Sequence, residues 1–137
     1  MESARDRPRG RPAEDDGRLV AAGAYGALLL LGAGEGLIGS FQYSRVVGPV
    51  PIAALAFDLL ILLTCVAGAV GMRRPLGGLM PAVGWFIASF VMAMGTPGGS
   101  IVITNSGPGK WYLFGGAACA LAGVIVGFVM WPRKTSR

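Results

Sequence analysis

Histidine is absent from this chain, and cysteine occurs only twice, at Cys65 and Cys119. Without histidine there is no His-based catalytic triad, no His-ligated metal and no haem held by an imidazole. Charge is also scarce: 14% of residues are charged against 53% apolar. Outside the two ends, the only ionisable acids and bases are Glu35, Arg45, Asp58, Arg73, Arg74 and Lys110, leaving aside tyrosine and cysteine. Long uncharged stretches of this kind indicate membrane spans. The net charge of +5 is not a nucleic-acid signature. Five acids balance five arginines in residues 1–18, and the excess comes from bases scattered at the flanks of apolar segments.

The apolar runs number four. Residues 1–18, rich in Pro, Gly, Arg and acids, read as a disordered tail. Spans are predicted at about 19–41, 50–72, 79–95 and 112–131, with a basic stub at 132–137. The expected fold is an all-α membrane protein, a four-transmembrane-helix bundle. The first span carries no A-x-A cleavage site and is expected to stay in the protein. With the N-terminus inside, ten lysines and arginines fall on the cytoplasmic side and two, Arg45 and Lys110, outside, which predicts both termini cytoplasmic. Trp131 would anchor the inner interface, and Tyr43, Trp111 and Tyr112 the outer one. "RRPLGG" is tight enough to make spans two and three antiparallel neighbours. "SIVIT", bracketed by glycines, suggests a short β-like lip in the outer loop.

Within "LLLLGAGEGLIGSFQYS", Leu28 to Ser44, Glu35 stands between two glycines. Sixteen residues past Leu19 at 1.5 Å each, it would lie ~24 Å from the inner edge of a core about 30 Å thick, in the outer third. Asp58, entering from outside, would lie ~12 Å deep, and is ranked as the deeper acid. Glu35, Arg45 and Asp58 form the candidate polar cluster. Arg45 could fold back on Glu35 as a structural pair, or the acids could face a cavity and handle protons or cations. Gly115, Cys119, Gly123 and Gly127 recur every four residues as a helix-packing ridge, expected to pack within the chain and open to homo-oligomer formation. Gly32 and Gly36 repeat the pattern. Cys65 and Cys119 would differ in depth by ~12 Å, too far for a disulfide.

Motifs for chemistry are few. "SGPGKW" has Thr104 where a phosphate-binding loop needs glycine and Trp111 where it needs Ser or Thr, and "GAGEG" follows no strand. Ser89, Cys65 and Cys119 have no base on their own helices. No catalytic residue, cofactor or metal is expected.

The stretches "LLLGAGEGLIGSFQYS", "GPVPIAAL" and "GTPGGSIVITNSGPGKWYLFGG" resemble a group of small four-span actinobacterial integral membrane proteins, a family without an assigned function. The resemblance covers roughly Leu19 to Trp131 and implies a bacterial plasma membrane. Small multidrug-resistance transporters are similar in size and keep a glutamate in their first span. They depart from this chain in holding it near mid-membrane and in lacking its charge asymmetry. The leading expectation is a non-enzymatic accessory protein whose partners are the lipid bilayer and another membrane protein, with nucleic acid excluded. The alternative is an ion-handling transporter using Asp58 and Glu35. A polar cavity at Asp58 would favour the second, and a filled bundle the first.

Overall fold

The computed structural model describes residues 12–95, 97–99 and 102–131. Four helices in it are long and apolar enough to cross a membrane. They are α1 (Pro12–Gln42), α2 (Ile52–Met72), α3 (Pro75–Ala93) and α4 (Gly107–Met130), and no strand occurs among the described residues. Helix α4 contains one π-helical segment, Trp111–Gly115.

Proline sets the starts. Pro12 and Pro75 open α1 and α3, and Pro108 falls in the first turn of α4, where the missing N–H costs nothing and the fixed φ suits a helix. This is why α4 begins five residues before the expected 112, with the Ser106 hydroxyl accepting from the Gly109 N–H at 3.4 Å. It also corrects the tail. Residues 12–18 are helical, with Glu14 and Asp15 in the first turn, where acids complement the helix dipole. The rest of the expected tail and the stub at 132–137 lie outside the described residues.

The turn from α2 to α3 is only Arg73 and Arg74. Arg73 takes a left-handed φ of 50°, which lets the N–H groups of Arg73 and Arg74 close on Val70 and Ala69 at the end of α2. Helices α2 and α3 then pack in opposite directions, Gly68 facing Gly77 and Cys65 facing Gly78, as the short loop predicts. Pro81 has no N–H to give the Gly77 carbonyl, and a Cβ on Gly68 would collide with that same carbonyl.

The other main pairings run parallel. On α1 and α3, Gly32 meets Pro81 and Gly36 meets Trp85, so both helices advance together. On α2 and α4, Asp58 meets Gly115, Cys65 meets Gly123 and Ala69 meets Gly127. At these crossings an added Cβ would strike backbone or enclosed atoms, so glycine is what lets the helices close. Helix α1 touches α2 only lightly.

Of the expected β-like lip, residues 102–104 are described, and they form no strand. The Tyr43 hydroxyl donates to the Val102 carbonyl (3.1 Å) and accepts from the Thr104 N–H (3.0 Å), taking up backbone groups that a hairpin would use. Ile103 turns into the core at 3% exposure. Among the described residues an antiparallel bridge occurs in the other loop at that end, Val47 with Val50, across a turn that needs Gly48 at φ 63°.

Candidate functional site

Glu35 and Asp58 are both buried, but in different interfaces. The Thr64 hydroxyl of α2 donates to Glu35 Oε1 at 2.6 Å, and Glu35 Oε2 is buried without a hydrogen-bond partner. Thr64 lies near the middle of α2, so Glu35 is level with that middle. Asp58 lies six residues nearer the start of α2, ~9 Å along the axis. Measured along α2, Glu35 is thus nearer the helix middle than Asp58, the opposite of the expected ranking. The miscount came from starting at Leu19: the Gly32–Pro81 register shows that α1 extends well beyond the start of α3, and Glu14 to Val20 are exposed.

Arg45 does not join either acid. It is exposed in the loop between α1 and α2, and no ion pair links it to Glu35 or Asp58. The three candidate residues thus separate into two buried acids in different helix interfaces and one exposed base.

Asp58 is 3% exposed, and neither of its oxygens has a hydrogen-bond partner. Its Oδ2 lies against Gly115, at the end of the π-helical segment, and its Oδ1 would be 3.1 Å from a Cβ on Gly116. The Trp85 ring covers Gly116 from α3, and its Nε1 is also without a partner. Burying an ionised carboxylate with no counter-charge is far more costly than burying a paired one. The ridge of Gly115, Cys119, Gly123 and Gly127 is thereby placed: its glycines lie against Asp58, Cys65 and Ala69, so the face is taken up by the chain's own α2.

Beside Asp58 runs a polar network that the sequence reading missed. The Tyr112 hydroxyl donates to the Gly36 carbonyl at 2.9 Å and lies 3.2 Å from Ser89 Oγ. Having one hydrogen to give, Tyr112 must then accept from Ser89. Ser40 Oγ donates to the same Gly36 carbonyl at 2.6 Å. Tyr112 stacks on Tyr43 (5.9 Å between centroids) and tilts against Trp85 (5.6 Å). Tyr43 and Tyr112, expected at an interface, are 5% and 0% exposed, whereas Trp111 remains outside at 59%. Spacing carried the signal: Gly36 and Ser40 share one face of α1, which Tyr43 continues just past its end, and Trp85 and Ser89 share one face of α3. Among the described residues no three Cys, Asp or Glu side chains meet as metal ligands.

Comparison with protein-family models, with curated proteins and with solved structures finds no match.

Proposed function

We propose that the chain is a multi-pass protein of the bacterial plasma membrane, both termini cytoplasmic, that acts as a non-enzymatic accessory partner of another membrane protein. One observation carries this reading: Asp58 is closely packed, closed in by Gly115, Gly116 and Trp85, and no described groove reaches it. Those grooves open on the outside of the bundle. A transporter of this size would need a passage between helices, and here glycine brings backbones together instead. Ser89, the best-placed hydroxyl, is engaged with Tyr112 and has no base beside it, which supports a non-catalytic role. Orientation rests on the ten-to-two division of lysine and arginine. In that frame Glu35 sits near the bilayer centre and the surplus length of α1 projects into the cytoplasm.

A second reading, ion handling by the two acids, is favoured by the three carboxylate oxygens buried without partners. One assay separates the two. Proteoliposomes holding the purified chain and a pH-sensitive dye should, under an imposed pH gradient, leak no faster than empty vesicles. Proton flux that disappears in Asp58→Asn would replace the accessory reading with the ion-handling one.

A further inference from the structure

We propose that the start of α4 holds an anionic phospholipid, its phosphate paired with Lys110 and one acyl chain lying in the groove beside Phe114. The site is independent of the accessory role and needs only that α4 crosses a bilayer. The groove has a volume of ≈ 500 Å³ and is lined by Gly107, Lys110, Trp111, Phe114, Gly115 and Ala118. From Lys110 at the loop end to Ala118 it runs ~12 Å along the helix. Trp111 and Phe114 stand out from α4 at 59% and 75% exposure, while Gly107 and Ala118 between and below them are small and exposed. Large side chains beside small ones make the groove.

Three observations identify the occupant. The first is where the charge lies. The groove between α1 and α2, lined by residues such as Ala24, Leu28 and Gly71, contains no charged residue, and neither does the one between α3 and α4 at Ala82 and Leu121. Lys110 lines two grooves, this one and an adjoining one of ≈ 390 Å³ that adds Thr104 and Asn105, with Phe114 common to both. One end of the site is therefore basic and polar, and the other is apolar.

The second observation is that the chain offers Lys110 no counter-ion. No Asp or Glu follows Asp58 in the sequence, and none lies between Glu35 and Asp58. Those two acids are buried in helix interfaces, and Glu14, Asp15 and Asp16 stand at the start of α1, at the opposite end of the bundle. A second copy in the same orientation brings no acid to this level either. Bases beside a membrane attract anionic headgroups, and an exposed tryptophan next to one suits the headgroup level.

The third observation is shape. All six lining residues belong to α4, so the groove is a channel on one helix and not a valley between two. A partner helix about 10–12 Å across would have no second wall to lean on. An acyl chain is far thinner and can lie along a single helix. A soluble anion would satisfy Lys110 and leave the apolar length unused, whereas an anionic phospholipid fits both ends.

For the test, the full-length chain in mild detergent is offered equimolar phosphatidylglycerol and phosphatidylcholine of matched chains, and the lipid it retains is read by native mass spectrometry. Phosphatidylglycerol should be favoured about fivefold, the weight of one lysine at a membrane surface. Lys110→Gln should abolish that preference. Arg45→Gln should leave it, because Arg45 is a base at the same end that lines none of the described grooves. Ala118→Leu, an exposed change between two good helix formers, should weaken retention by closing the lower groove. Phosphatidylglycerol with a photoactivatable acyl chain should label residues 111–118. Equal retention of the two lipids, a preference that survives Lys110→Gln, or an equal loss in Arg45→Gln overturns the proposal, and so does labelling confined to other helices. Displacement of the lipid by inorganic phosphate would make this a site for soluble anions and overturn it as well.

Discussion

At the scale of single residues, the two buried acids differ in what surrounds them. Glu35 has one oxygen satisfied by Thr64 and the other buried without a partner, whereas Asp58 has neither oxygen satisfied. Asp58 and Gly115 are therefore strongly dependent on each other. A Cβ on Gly115 would run into Asp58 Oδ2, and so short a side chain, buried by Trp85 and Gly116, has nowhere to swing. Gly115→Ala should lower stability by about 1–3 kcal/mol, the usual penalty for overpacking. In an Asp58→Ala background much of that loss should vanish, giving a coupling of about 0.5–3 kcal/mol in a double-mutant cycle followed by unfolding in detergent. Strict additivity would mean that the two side chains do not share the space the structure assigns them.

Between helices, the same residue type has opposite meanings at neighbouring positions. Gly32 of α1 has the Pro81 backbone where its Cβ would be, and Gly34 has nothing within 4 Å. Gly32→Ala should sharply lower the melting temperature in mild detergent, because two backbones would have to move apart. Gly34→Ala should leave it unchanged or raise it, since alanine is better than glycine in a helix by about 1 kcal/mol. Equal effects would show that α1 does not close on α3 through Gly32. The sequence made the ridge on α4 legible, because a repeat of four small residues is a pattern along one helix. It could not say which glycines meet backbone, because that depends on the partner helix and its register. For the same reason the depth of Glu35 was misjudged. Hydropathy marked where the apolar run starts at Leu19, but only the contacts Gly32–Pro81 and Glu35–Thr64 fix how far α1 has slid past its neighbours. Tyr43 and Tyr112 misled in another way. Aromatics near the end of a span fit an interfacial belt, and nothing local revealed that Tyr112 would reach the Gly36 carbonyl of α1.

For the molecule as a whole, the end that faces the cytoplasm decides which leaflet the groove between α1 and α2 opens toward. The groove lies at the end marked by Arg73 and Arg74, so the proposed orientation would put it in the inner leaflet. A reporter active only outside the cell should be silent when fused after Arg137. It should be active when inserted at Gly98, an exposed glycine with open space around it. Gly98 is a better insertion point than Ser106, whose hydroxyl caps α4 and would be torn from Gly109. Neutralising Arg73 and Arg74 together should raise the fraction of inverted molecules more than neutralising Arg45, because loop bases on the inner side fix orientation. The reverse reporter pattern would place the groove in the outer leaflet. In either orientation Glu35 stays level with the middle of α2, which its bond to Thr64 fixes.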